Sequence, residues 1–166
     1  VRIVHSHSSF ANKGKLQKLN DLLHKRNQKK LDKYATDLFA CSDKAAKWLF
    51  GGMMCNGMDV QLMNNGVDVK KYSMDCAKRV EVREKLGWNN CIVIGHVGAF
   101  LPVKNHSFLI DTIFEAYKKN KTVRGLLIGE GPLLEKMKKK AEIMGLNNIN
   151  KFTGVRADVN ILLMAM

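Results

Sequence analysis

Four short stretches of this chain gather the residue types that chemistry requires, and each stands at the end of an apolar run. His5-Ser6-His7-Ser8 closes the first run, and Gly98-Ala99-Phe100-Leu101-Pro102-Val103-Lys104-Asn105-His106 follows Cys91–Val97. Gly129-Glu130-Gly131-Pro132 follows Val123–Ile128, and Thr153-Gly154-Val155-Arg156 follows Ile149–Phe152. Glycine lets ligand oxygens approach a main chain closely, and the start of a helix favours an anion. Three such loops in succession, with Lys104 in the first, describe a site for a phosphorylated, nucleotide-like ligand. His96 sits inside an apolar run and reads as a buried structural histidine. Glu130 lacks a carboxylate partner or a suitably spaced histidine, so it does not read as a catalytic base.

The elements that must position these loops alternate. Val1–His5 and Asp37–Cys41 read as strands, and Leu16–Tyr34 reads as a helix. Ser42-Asp43 caps a helix that runs to Phe50 and is stopped by Gly51 and Gly52. Residues 53–58 show no period and read as a loop, and Val60–Met63 reads as a strand before the turn Asn64-Asn65-Gly66. A charged helix over Met74–Leu86 closes at Gly87. Cys91–Val97 reads as a fully buried strand, with further strands at Val123–Ile128 and Ile149–Phe152. Helices are predicted over Asn105–Lys119, Leu133–Met144 and from Val159 onward. Near-continuous apolar strands alternating with helices predict an α/β class of doubly wound parallel sheets, whose chemistry lies at the carboxyl ends of the strands.

Composition narrows the classes. The 166 residues are 46% apolar, enough for a buried core, which excludes disorder and fibrous repeats. No apolar stretch is long enough to span a bilayer, and Val1 is not followed by a charged-then-apolar leader, so a secreted or integral membrane protein is not expected. Cys41, Cys55, Cys76 and Cys91 lack metal-ligand spacing and read as reduced thiols, so no metal site is expected. The net charge of +13 concerns partners rather than fold. Residues 13–33 carry eight basic and two acidic side chains, a net +6, with Leu16, Leu19, Leu22, Leu23 and Leu31 at roughly helical spacing. Such a helix either packs on its own domain through the leucines or meets an anionic membrane surface. Aromatic residues make up 7% and do not interleave with the lysines, which argues against a nucleic-acid partner.

The ordered motifs resemble one family. Gly98–His106 with Phe108-Leu109-Ile110, Leu127-Ile128-Gly129-Glu130-Gly131-Pro132 and Phe152-Thr153-Gly154-Val155 are similar to group 1 glycosyltransferases, in particular the retaining family-four enzymes of bacterial capsular and exopolysaccharide synthesis. His5-Ser6-His7-Ser8, Ala40-Cys41-Ser42-Asp43, Trp48-Leu49-Phe50-Gly51 and Asn65-Gly66-Val67-Asp68 agree in order. The resemblance implies two facing Rossmann-like domains (GT-B), one for the acceptor and one for the sugar nucleotide, and transfer with retention and without a bound metal or other cofactor. It divides the chain into 1–63, the later part of the acceptor-side domain; 64–90, an interdomain connection and helix; and 91–166, the first part of the nucleotide-sugar domain. It implies that Lys104 grips the donor diphosphate beside Gly98, and that Gly129, Gly131, Val155 and Arg156 line the ribose and base pocket. His5 and His7 are the implied catalytic-side contacts to the transferred sugar or acceptor. The implied donor is a UDP-sugar and the acceptor a polysaccharide or lipid-linked chain, with the protein cytoplasmic and peripheral at the inner membrane face. One departure stands out: Ala99 occupies the place of a diphosphate-binding arginine, and Arg124 and Arg156 are the candidates to replace it. The alternative reading is a truncated or non-catalytic nucleotide-binding remnant.

Overall fold

The computed structural model describes residues 1–8 and 17–166, which form two compact units, Val1–Val67 and Asp68–Met166. Lys13, Lys15 and Leu16 of the basic segment lie outside the described residues.

In the first unit the strands are β1 (Ile3–Ser6), β2 (Asp37–Ala40), β3 (Met54–Cys55) and β4 (Met58–Leu62). The helices are α1 (Gln17–Gln28), α2 (Leu31–Tyr34) and α3 (Asp43–Phe50). The sheet order is β1-β2-β4-β3, parallel except for the β3–β4 pair. Leu38, Ala40 and Val60 from the strands bury against Ala45, Ala46 and Phe50 of α3. The start of α3 is held twice. The Ser42 hydroxyl accepts from the Ala45 amide at 3.2 Å, a cap of about 1 kcal/mol, and the buried Ser6 hydroxyl donates to the Ala45 carbonyl at 2.8 Å. Gly51, in the left-handed conformation with φ 88°, ends the helix.

Two expectations need correction here. Residues 53–58 are not a loop: Met54-Cys55 and Met58-Asp59 pair as an antiparallel hairpin around Asn56-Gly57. Both turn residues have positive φ, 50° and 87°, the backbone that an Asn-Gly turn supplies when strands are too short to show alternation. The leucines of α1 do not pack downward either. Leu19, Leu22 and Leu23 are 51%, 65% and 46% exposed. The helix is anchored by polar groups: His24 stacks on Trp48 and its Nε2 donates to the Trp48 carbonyl at 2.9 Å, while the Gln28 amide donates to the Leu49 carbonyl at 3.0 Å.

The second unit holds α4 (Cys76–Leu86), β5 (Ile92–Val97), α5 (His106–Lys119), β6 (Val123–Ile128), α6 (Leu134–Ile143), β7 (Asn150–Phe152) and α7 (Val159–Leu163). Its sheet is parallel with order β5-β6-β7. β6 is the central strand and is buried on both faces, as a parallel α/β sheet requires. Leu127 joins Ile110, Ile113, Met137 and Leu146 on one side, and Leu126 and Ile128 join Val82, Trp88 and Leu162 on the other. Helix α4, in the stretch expected as a connection, therefore contributes Val82 to this unit's core. Its Arg83 donates to the carbonyls of Ala165 and Cys91. β5 departs from the fully buried strand expected, since Ile92 and Val97 are 54% and 42% exposed. It lies at the edge of the sheet among the described residues, so only its inner positions gain cover.

Candidate functional site at the strand ends

At the carboxyl ends of β5, β6 and β7, three loops are joined to one another by main-chain hydrogen bonds. The Gly98 amide donates to the Ile128 carbonyl, and that of Gly129 to the Gly154 carbonyl, both at 2.9 Å. The Phe100 amide donates to the Glu130 carbonyl at 2.8 Å, and the Phe100 carbonyl accepts from Leu133 at 3.1 Å. The glycines at 129 and 131 are demanded by this contact. A Cβ at Gly129 would run into the Gly98 carbonyl oxygen, and one at Gly131 would come within 2.8 Å of the Phe100 nitrogen. Their φ values, 137° and 150°, are ones that side chains rarely adopt. At Gly98 the space is filled by the His96 ring, whose Cε1 would lie 3.0 Å from an added Cβ.

Lys104 ends a short 3-10 turn, Pro102–Lys104, and Asn105 then takes the left-handed conformation (φ 48°) before α5 begins. The start of α5 has no side-chain cap. Lys104 is exposed and pairs with no acid among the described residues. An unpaired ammonium next to an uncapped helix start is a favourable place for an anion.

Behind Lys104 lies a group that sequence reasoning only half identified. His106, 1% exposed, stacks on the buried Phe100 ring with centroids 4.0 Å apart, and meets the His96 ring edge-to-face at 4.5 Å. Neither ring nitrogen of His106 has a hydrogen-bond partner, and the Nδ1 of His96 is likewise buried without one. Burial first, and then the Lys104 charge, hold His96 below the ordinary histidine range; His106 is lowered by burial, by His96 and by Lys104. His96 is therefore half-buried, with Nδ1 unpartnered among the described residues, rather than a satisfied core residue. The sequence signal was present, two histidines flanking a glycine loop, but their contact is tertiary.

No family model matches the chain. The sequence is 30% identical over 132 residues to EpsF of Bacillus subtilis (strain 168), which carries the name of a glycosyltransferase, covering 78% of this chain and 34% of EpsF. The structure is similar to that of Anabaena HepE in complex with UDP-glucose, with a TM-score of 0.78 and 22% identity, over 98% of this chain and 44% of HepE. It is similar too to WaaG, a glycosyltransferase involved in lipopolysaccharide biosynthesis, with a TM-score of 0.66 and 17% identity, over 96% of this chain and 47% of WaaG. The fold is that of the GT-B glycosyltransferases. The chain spans about a third to a half of the length of these relatives.

In this chain the expected residues divide into groups. Gly98, Lys104, Gly129 and Gly131 come together at the strand ends of the second unit. Val155 is 70% exposed in the third loop. Arg156 is in that loop too, but its guanidinium forms a two-point pair with Asp158, Nε to Oδ1 at 2.8 Å and Nη2 to Oδ2 at 2.7 Å. That pair raises the arginine and holds the Asp158 carboxyl below the usual carboxylate range. Arg124, near the opposite end of β6, donates to the Lys121 and Val123 carbonyls. Both arginines expected to stand in at Ala99 are thus engaged elsewhere. His5 and His7 belong to the first unit, at the end of β1. The His7 Nε2 and His5 Nδ1 are 3.1 Å apart, one donating and the other accepting, and the His5 Nε2 is buried without a partner among the described residues. Among the described residues no group of three or more His, Cys, Asp or Glu could hold a metal ion, and no helix is long and apolar enough to cross a membrane.

Proposed function

We propose that this chain belongs to a glycosyltransferase that moves a sugar from a UDP-sugar to a polysaccharide or lipid-linked acceptor in cell-surface polysaccharide synthesis, with retention of configuration and without a metal. The observation that carries the reading is the Lys104 ammonium, unpaired among the described residues, at the uncapped start of α5 beside the loop fabric of Gly98, Gly129 and Gly131. The likeness to EpsF and the UDP and UDP-glucose held by HepE support it. In this mechanism Lys104 and the free amides of the helix start stabilise the negative charge that develops on the departing diphosphate. The third loop, with Val155 and Arg156, lines the base and ribose. His5 and His7 contact the transferred sugar or the acceptor, with the exposed His7 oriented by its hydrogen bond with His5.

Calorimetry with UDP and GDP, on the natural chain and Ala99→Arg, tests the donor half. UDP is expected to bind, and the arginine to tighten it roughly ten-fold, the low end of one charge-assisted hydrogen bond at about 1.5–3 kcal/mol. A folded protein that binds neither nucleotide in either form overturns the reading. Ala99 favours one second reading, nucleotide binding without turnover, and tight UDP binding with no sugar transfer even in Ala99→Arg selects it.

The outward leucines of α1, with Lys25, Arg26, Lys29, Lys30 and Lys33 nearby, fit a cytoplasmic protein held at the anionic inner membrane face. Vesicles rich in anionic lipid are expected to sediment the protein and neutral vesicles to leave it in solution. Equal binding to both removes the electrostatic part of this assignment.

A further inference from the structure

Among the described residues the site offers one unpaired lysine to the two negative charges of a nucleotide diphosphate, and Arg156 in its third loop is held by Asp158. The histidine pair supplies what is missing. The His96 ring lies against Gly98, in the loop that leads to Lys104, and its Nε2 is the ring nitrogen left accessible. His106 cannot reach a ligand, because it is 1% exposed and clamped flat on Phe100. Its edge-to-face contact fixes the plane of the His96 ring. We propose that His96 is a second donor-site residue, which takes a proton from solvent when the nucleotide diphosphate binds and supplies the positive charge that Ala99 does not. This rests on the donor-site reading of Lys104 and extends it to a residue outside the glycine and lysine motif.

The charges around the pair make the direction definite. The titratable groups facing His96 are Lys104, from the turn before α5, and His106 from α5 itself. On β6 its register partner is Leu127, and the loop contributes Phe100, neither of them charged. Without ligand, burial and then the lysine charge favour the neutral form of His96, which limits repulsion between the pair and Lys104. A diphosphate reverses that balance, because an anion within a few ångströms favours the charged form of an imidazole. The bound state holds more protons than the free state, so affinity must rise as pH falls through the histidine range.

UDP-glucose is the suitable probe, because its diphosphate is a diester and does not titrate near neutrality. With the intact protein, calorimetry in two buffers of different ionisation enthalpy is expected to show uptake of a fraction of a proton per UDP-glucose near neutral pH. Affinity is expected to rise roughly ten-fold from about pH 8 to about pH 5.5, the effect of a shift of about one pKa unit. His96→Gln is expected to bind UDP-glucose with no uptake and a flat pH profile, whereas His106→Gln keeps the uptake. Uptake that is absent in the natural protein, or unchanged in His96→Gln, overturns the assignment and leaves Lys104 standing. Absence of UDP-glucose binding at every pH in a folded protein removes the donor-site reading itself. Titration of the His96 Cε1 proton by NMR in the natural protein avoids any variant: its midpoint is expected to rise when UDP-glucose is added, and an unmoved midpoint overturns the proposal.

Discussion

Gly129→Ala is expected to lower the stability of the second unit by roughly 4 kcal/mol, from about 1–3 kcal/mol of overpacking and a similar amount of backbone strain. The added methyl would meet the Gly98 carbonyl oxygen, which belongs to main chain rather than to a side chain able to swing away. The two tryptophans make the measurement local, because Trp48 lies in the first unit and the buried Trp88 in the second. Urea unfolding followed by Trp88 fluorescence in a Trp48→Phe background should show the loss. Gly145→Ala is the control. It lies in the left-handed region, φ 69°, which side chains enter at a cost of about 1–2 kcal/mol, and it has nothing within 4 Å of the added carbon, so it should cost only that conformational part. Equal losses at the two positions would show that contact between the loops is not what requires glycine.

Lys104→Ala is expected to weaken UDP binding ten- to a hundred-fold, the range set by one charge-assisted contact of about 1.5–3 kcal/mol. Because Lys104 is exposed and has no acid partner among the described residues, the unfolding midpoint should not change. Titration calorimetry beside a denaturant curve checks both halves. Full UDP affinity in the alanine variant would move the diphosphate away from the start of α5.

The regular part of the second unit was legible because its signals are local. The apolar runs at Val123–Ile128 and Ile149–Phe152 and the periodic stretch after Asn105 name their elements without help from the rest of the chain. What escaped depends on contacts far apart in sequence. The hairpin at Met54–Leu62 has one strand of two residues, too short for any period, and only the turn pair Asn56-Gly57 could have announced it. The direction of α1 is set by His24 and Gln28 docking on the end of α3, so a count of leucines points to the wrong face. In the candidate site, Lys104 and the glycines were visible as types at the right places, but the reason for Gly129 and Gly131 was not. They are there for one loop to lie on another, and a residue pattern does not distinguish that from room for a ligand. The His96–Phe100–His106 stack needs the loop to fold back on itself before its members meet.

The bonds that join the three loops run from amide to carbonyl, and apart from the glycines they ask nothing of the side chains. Ala99, Leu101, Val103, Glu130 and Val155 all project outward from that frame. Such a frame separates inheritance from innovation: its shape persists while the residues displayed on it are exchanged one at a time. The side chain at position 99 is exposed and can be exchanged without collapse of the loops. Single substitutions can therefore retune what these loops hold, with little risk to folding.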